Sequence, residues 1–285
     1  MAGHEVRWLF HSTAMVTDYD LATERLGSLT GLVVLEYGES SEPGIGRRGG
    51  MAWVGDNAIE VGQPVVEDAA RQFVDRHGGG MHSVALQVLD LDATVAHLEA
   101  KGVRIAARPR PEMCFTDPRD TAGVLVQWSC FELDVDPHFG APVPVAEPAP
   151  PIPVVRHAFV GALVEEPLRV ADRLAEIMGT EVTFEDRPAG PDRPMAAVSL
   201  GDCTLALFAL SAPDSPALWG RRYERARTHL LALRVDDRVA AEDTLAALGV
   251  RVLRSDAMLT VIDPADTGGV QIALTDRLLP GDPRH

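Results

Sequence analysis

The stretch from Gly78 to Cys130 decides how this sequence is read. It opens GGGMHSVALQV (78–88), passes through DLDATVAHLEAKGV (90–103) and closes MCFTDPRDTAGVLVQWSC (113–130). In the opening run His82, Val84, Leu86 and Val88 share one parity, so a strand sends all four side chains to one face and sets an imidazole among apolar groups. Leu91, Val95 and Leu98 recur at i, i+4 and i+7, with an Asp ahead of them and Gly102 behind, which predicts a short amphipathic helix with a glycine stop. The closing run predicts a strand, a turn at Asp117, Pro118 and Gly123, and a second strand with Leu125 and Gln127 on one face.

The same text returns near the C-terminus. THLLALRVDD, a helical stretch, LGVRV, IDPADTGGV and QIAL answer it, with His229 for His82, Gly249 for Gly102, Asp263-Pro264 for Asp117-Pro118 and Gly269-Val270 for Gly123-Val124. Self-similarity over this length says more than any one motif. Residues 5–63 form another unit. VRWLFHSTAMV places His11, Thr13 and Met15 on one face, Asp18 caps a helix, and GLVVLEYG, GGMAWVG and NAIEVG predict three strands. Gly44, Gly46, Gly49 and Gly50, with Arg47 and Arg48 among them, read as a hairpin connection and not as a phosphate loop, which needs a strand before it and a helix after. Residues 154–212 repeat this unit, with His157 answering His11 and Gly201-Asp202 answering Gly55-Asp56.

Between the halves DVDPHFGAPVPVAEPAPPIP carries too many prolines for a ladder or a helix. The expected organisation is therefore a first βαβββ pair at 1–133, a proline-rich linker at 134–153 and a second pair at 154–285. The class is α+β, because an unpaired unit leaves an edge and an apolar face exposed, and pairing two of them covers both.

Bulk properties narrow the partners. The chain has 285 residues, 46% of them hydrophobic and 24% charged, with a formal net charge of −16. Nucleic acid and anionic membrane both need clustered cations, so neither is an expected partner. The nearest cluster, Arg221-Arg222 with Arg225 and Arg227, reads as a solvated face. No N-terminal signal pattern and no apolar run of about 20 residues is present, which points to the cytoplasm. Cys114, Cys130 and Cys203 are odd in number and form no CxxC, so reduced thiols are expected.

The element order, His82 in HSVALQV and the DPRDTAGVLVQW ending resemble the vicinal oxygen chelate superfamily, in particular its methylmalonyl-CoA epimerase and glyoxalase I branch. That resemblance implies two tandem domains, each a half-open cup of mixed sheet, with a divalent metal held by the first and last strands of each unit. Carried onto this sequence, the ligands are His11, Glu60, His82 and Gln127, a nitrogen and oxygen set that suits Mn, Fe, Co, Ni or Zn. Glu60 and Gln127 exchange the carboxylate and amide relative to the epimerase branch. In the second half the matching positions are His157, Ala206, His229 and Ala273, which leaves two imidazoles and no oxygen ligand, a weak site.

The implied activity is that of a metal-dependent isomerase, epimerase or lyase on a small oxygenated substrate, through a metal-stabilised enolate. Its base is Glu60, Glu112 or Glu36. Trp53, Met113, Phe115 and Trp128 are expected to line an apolar substrate pocket. The alternatives are a metal-free small-molecule binding or resistance protein and an extradiol-type ring-cleaving dioxygenase. Cups of this family are completed within a chain or across a dimer, so a homodimer is one expected assembly. Arg104, Arg108 and Arg110 read either as a charged loop or as a grip on a phosphate-bearing carrier such as coenzyme A. His4, His77, His97, His138 and His285 fall outside the repeat positions and are expected in solvent.

Overall fold

The computed structural model describes residues 3–42, 45–186, 194–210 and 225–284. A first unit runs β1 (Val6–Met15), α1 (Tyr19–Thr30), β2 (Leu35–Ser40), β3 (Arg47–Val54) and β4 (Asn57–Pro64). Helix α2 (Ala69–His77) leads to a second: β5 (Gly80–Val88), α3 (Leu91–Ala100), β6 (Ile105–Arg110), β7 (Met113–Thr116) and β8 (Leu125–Ser129). The order returns as β9 (Arg156–Val164), α4 (Pro167–Met178), β10 (Val182–Asp186), β11 (Met195–Ser199) and β12 (Thr204–Ala209). It ends with β13 (Arg227–Arg234), α5 (Arg238–Ala247), β14 (Val252–Ser255), β15 (Thr260–Ile262) and β16 (Ile272–Thr275). Asp18, Asp68, Asp90 and Asp237 each accept a backbone N–H at the start of a helix, supplying partners the first turn lacks.

Two eight-stranded mixed sheets result, ordered β2-β3-β4-β1-β5-β8-β7-β6 and β10-β11-β12-β9-β13-β16-β15-β14. Each joins two units through its central antiparallel pair, β1 with β5 and β9 with β13, and parallel pairs flank that seam. The expected α+β architecture of paired units stands. One apolar core takes Leu86 and Trp128 from the first sheet and Val160 and Ile272 from the second. Leu26, Leu98, Leu174 and Leu245 join it from the helices. The sheets therefore stand back to back with helices between them, and each keeps its other face for a separate cup.

The proline-rich stretch is pinned at both ends. Ile152 is buried and its N–H donates to the Leu29 carbonyl at 3.1 Å. At the other end Asp136 and His138 bond at 2.9 Å, and His138 reaches Asp202 at 3.1 Å while its ring stacks on Trp8 at 4.2 Å. Asp202 sits in the β11–β12 turn beside Gly201, whose φ of 90° brings the turn against the Arg7 carbonyl. From there it also accepts the Leu9 N–H and the Asn57 amide, both at 2.8 Å, so this one carboxylate ties both halves to the connection.

Several expectations change here. Arg47, Arg48, Gly49 and Gly50 belong to strand β3 and not to a hairpin loop; Gly44 lies outside the described residues. His138 is bonded as above, His4 bonds Thr94 and the Met178 carbonyl, His97 bonds the Ile177 carbonyl, and His77 packs near Phe73, so none of these four is a free surface group. His285 and residues 221–224 of the arginine cluster lie outside the described residues. Arg104, Arg108 and Arg110 pair with Asp120, Asp92 and Glu42 respectively, as a charged surface does. The three cysteines are unbridged. No helix among the described residues is long and apolar enough to cross a membrane.

Candidate active site in the first cup

Strand register assembles the first cup. Met51, Glu60, Thr13 and Ser83 lie in one row across β3, β4, β1 and β5. His11, Ala85, Gln127 and Phe115 lie in the next, across β1, β5, β8 and β7. Paired residues share a face, so these rows point into the same concavity. Trp8, Phe10, Met51, Phe131 and Leu133 pack as its apolar wall.

The polar groups form one chain of hydrogen bonds. Thr13 donates its hydroxyl to Glu60 Oε2 at 2.9 Å, and His11 Nδ1 lies 3.1 Å from that same hydroxyl oxygen. Because the threonine proton is already directed at the carboxylate, His11 Nδ1 must be the donor, which leaves Nε2 as the basic nitrogen. His11 Nε2 faces the Gln127 amide nitrogen at 3.5 Å, and that amide donates to Ser129 at 2.8 Å. On the other side Glu60 Oε1 accepts the Tyr37 hydroxyl at 2.5 Å and the Arg47 guanidinium at 3.0 and 2.5 Å. Gly49 and Gly62 make this possible: a Cβ at Gly49 would lie 2.2 Å from the Tyr37 hydroxyl, and one at Gly62 would lie 2.8 Å from Arg47 Cδ.

Electrostatics follow from burial and from Arg47. His11 and Glu60 are each 1% exposed. Burial lowers the His11 pKa to about 4, with Arg47 assisting and Glu60 opposing, so the ring is neutral. Burial alone would raise Glu60, but Arg47, His11 and the Tyr37 hydroxyl overcome it and hold the carboxyl well below its usual range. Burial and the neighbouring Glu60 push the Tyr37 hydroxyl far up, so it stays a donor. Tyr37 is 49% exposed and forms the solvent-side rim of the cup.

The expected site residues separate on inspection. His11, Glu60 and Gln127 converge; His82 lies partly buried within electrostatic reach of Arg47 and Glu60, but its ring approaches Ser83 at 3.3 Å and not the carboxylate. A bulge in the β1–β5 pairing, where Thr13 faces Ser83 and Ala14 faces Met81, skips His82 and breaks the single parity read from the sequence. Its ring turns edge-on to Phe73 at 4.8 Å, while Val84, Leu86 and Val88 enter the core. The local twofold relating β1 to β5 pairs His11 with Ala85 and Thr13 with Ser83, so Ser83 is the counterpart of His11. Glu36 is exposed and paired with Arg48 at 2.9 Å on the outer side, and Glu112 is exposed at the β6–β7 turn. Trp128 is buried in the core opposite Gln127, since adjacent strand residues face opposite ways. Trp53, Met113 and Phe115 do lie on the cup side, in register with Ala58, Ser129 and Gln127. Arg47, Tyr37, Thr13 and Ser83 were missed. The signal for Arg47 was the alternation Arg47, Gly49, Met51, Trp53, hidden by a glycine that makes room for Tyr37.

A divalent ion does not fit this donor set. Of the four twofold-related positions, His11, Glu60, Ser83 and Gln127, only the first two offer strong ligands. Both Glu60 oxygens already accept hydrogen bonds, and a guanidinium lies against one of them. Two unit charges about 4 Å apart interact by about 4 kcal/mol at an effective dielectric near 20, so Arg47 would repel a divalent ion there by about twice that. Among the described residues no group of three or more His, Cys, Asp or Glu side chains is placed to hold a metal ion.

The second cup differs at every one of these positions. Register sets Ala197, Ala206, Gly161 and Leu230 in the row of Met51, Glu60, Thr13 and Ser83, and Phe159, Ala232 and Ala273 in the row of His11, Ala85 and Gln127. The counterpart of His11 is therefore Phe159 and not His157, which pairs with Leu233 just as Leu9 pairs with Leu86. His157 is fully buried, and neither ring nitrogen has a hydrogen-bond partner among the described residues. His229 occupies a bulge like that of His82.

Residues 10–117 match the family described as the Glyoxalase/Bleomycin resistance protein/Dioxygenase superfamily, so the chain carries a domain of that superfamily. No curated protein matches it. A mutant of 4-hydroxymandelate synthase from Streptomyces coelicolor aligns over 97% of this chain and 95% of its own, at 15% identity and a TM-score of 0.68. The 2,3-dioxygenase LapB from Pseudomonas sp. KL28 aligns over 100% and 96%, at 14% identity and a TM-score of 0.66. Methylmalonyl-CoA epimerase from Mycobacterium tuberculosis aligns over 47% of this chain and 95% of its own, at 26% identity and a TM-score of 0.42. The two full-length likenesses show the fold alone, two tandem domains like those of the vicinal oxygen chelate proteins, and nothing about the reaction.

Proposed function

We propose that the first cup catalyses proton transfer on a small oxygenated substrate, as an isomerase or lyase does, using protein groups alone. The observation that carries this is the chain from His11 through Thr13 to Glu60, which leaves His11 Nε2 as a neutral, oriented base in the concavity. A carbon-bound proton next to a carbonyl passes to His11 Nε2, and its electron pair moves to the carbonyl oxygen, giving an enolate. Arg47 supplies positive charge for that oxygen. Return of the proton to the other face or to another atom completes an epimerisation or isomerisation, and expulsion of a β-leaving group completes an elimination. The metal-dependent form of this reading, with His11, Glu60, His82 and Gln127 as ligands, meets the obstacles of Ser83 and Arg47.

The test is deuterium incorporation from solvent into a panel of small 2-oxo acids and hydroxy ketones in the presence of a chelator. Exchange that is lost in His11→Ala and kept in Glu112→Gln is the expected result. Exchange that requires added metal, or none with any compound, counts against it. A second reading, a binding protein, is favoured by the apolar wall of Trp8, Phe10 and Phe131. Tight binding of an aromatic compound without exchange would support that one instead.

A further inference from the structure

We propose that the Arg47 guanidinium takes, in the first cup, the place that a divalent ion would take. It anchors a ligand oxyanion there, and Arg47 with Ser83 is what bars a metal. The anion-anchoring part rests on the proton-transfer reading; the exclusion of metal does not. Three observations carry it. Strand register identifies Ser83 as the twofold counterpart of His11, so the second imidazole of a symmetric site has become a hydroxyl. The cation is built in and not incidental, since Gly49 and Gly62 leave the space that Tyr37 and Arg47 need to reach Glu60. Arg47 directs Nε and Nη2 at Glu60, while Nη1 makes no hydrogen bond among the described residues and the side chain keeps 13% exposure toward the rim. That edge offers two N–H groups to an oxyanion, and Glu60 holds the plane of the guanidinium in position.

The alternative placements are weaker. Arg48 and Arg110 are committed to exposed carboxylates, and His82 is turned onto Phe73. Within the cup Arg47 is the cation that touches the buried carboxylate, and a ligand carboxylate or enolate oxygen would meet it beside His11.

Cobalt(II) titration followed by visible absorption tests the exclusion directly, because ligand-field bands report coordination without any substrate. The wild-type chain is expected to bind Co(II) at least 100-fold more weakly than the double variant Arg47→Met/Ser83→His, and His11→Ala in that background should abolish the gain. Single Ser83→His, which keeps Arg47, should gain little. Stoichiometric, His11-dependent Co(II) on the wild-type chain overturns the proposal. So does a double variant that is folded by circular dichroism yet takes up no Co(II). Should the Met variant fold poorly, Arg47→Gln/Ser83→His puts the same question.

Calorimetric titration with oxalate reads the anchoring part: wild type binds, and Arg47→Met loses at least tenfold while Glu112→Gln, outside the cup, does not. Oxalate binding that is indifferent to Arg47 overturns the anchoring. Failure of the proton-transfer reading would show as absent deuterium exchange with both of these results intact.

Discussion

The two cups of this chain share a fold, a register and a bulge, yet one is lined by a charged network and the other by hydrocarbon. In the first, Glu60, Thr13 and Ser83 run along one row and His11 and Gln127 along the next. In the second, the same rows read Ala206, Gly161, Leu230 and Phe159, Ala273. The second face packs as an ordinary core, with Leu278 and Leu279 from the C-terminal segment joining Phe159 and Leu230. The lesson is that the sheet scaffold is indifferent to what faces the concavity, provided each buried charge has its partner.

The largest effect should come from breaking that provision. Glu60→Leu strands the Arg47 guanidinium in a buried site and should cost about 3–5 kcal/mol in urea unfolding. Arg47→Met/Glu60→Leu, which turns the first cup toward the second, should recover most of the loss. Ala206→Glu, the reverse change without an arginine to meet it, should destabilise at least as much as Glu60→Leu. If Glu60→Leu proves harmless, the network is not what holds the first cup.

Next in size is the turn that joins the halves. Asp202→Ala removes the acceptor of Leu9 N–H, Asn57 and His138 and should cost about 2–3 kcal/mol in the same assay. Asp56, its exposed counterpart in the β3–β4 turn, should tolerate alanine within about 0.5 kcal/mol. Equal effects would mean that the two turns do the same job.

His157 and Leu9 make a third pair. A fully buried imidazole with no hydrogen-bond partner among the described residues stands where the first sheet has leucine, so His157→Leu should stabilise by about 1–3 kcal/mol, read from thermal or urea unfolding. Burial, with Arg284 nearby, pushes the His157 pKa down to about 3, below its unfolded value. The unfolded chain therefore binds the extra proton first, and stability contributed here falls as pH drops below about 6.5. The variant should be less acid-sensitive.

The smallest expected effect lies at His138. Burial works against its charge, but hydrogen bonds to Asp136 and Asp202 raise the pKa to about 9, with Arg7 stacked on the same tryptophan. Its folded pKa exceeds its unfolded value, so its contribution is fully present below about pH 6.5 and is lost as pH rises toward 9. Unfolding free energies measured across that window should slope downward in the native chain and lose that component in His138→Phe.

Much of this was legible beforehand, for identifiable reasons. Strand and helix periodicities survive in any sequence whose elements bury one face, so the fourfold unit, the Asp caps and the pairing of units could be read from spacing alone. His11, Glu60 and Gln127 were reached through the family resemblance, and the strand register brings them into adjoining rows. His82 could not be placed from parity, because a bulge inserts one unpaired residue and a one-residue slip reverses the face. His157 was matched to His11 by a constant repeat offset, whereas β1 and β9 stand two residues apart from that offset once registered.

The amino-acid sequence by itself determined the repeated unit, the acidic composition and the ionisable groups carried by the strands of the first half. Only the tertiary structure decided that Ser83, and not His82, stands in register with Thr13, and that Arg47 passes over Gly62 to neutralise Glu60. Such facts depend on side chains brought together from strands far apart in the chain, and local patterns hold no record of where a bulge falls or how far a guanidinium reaches.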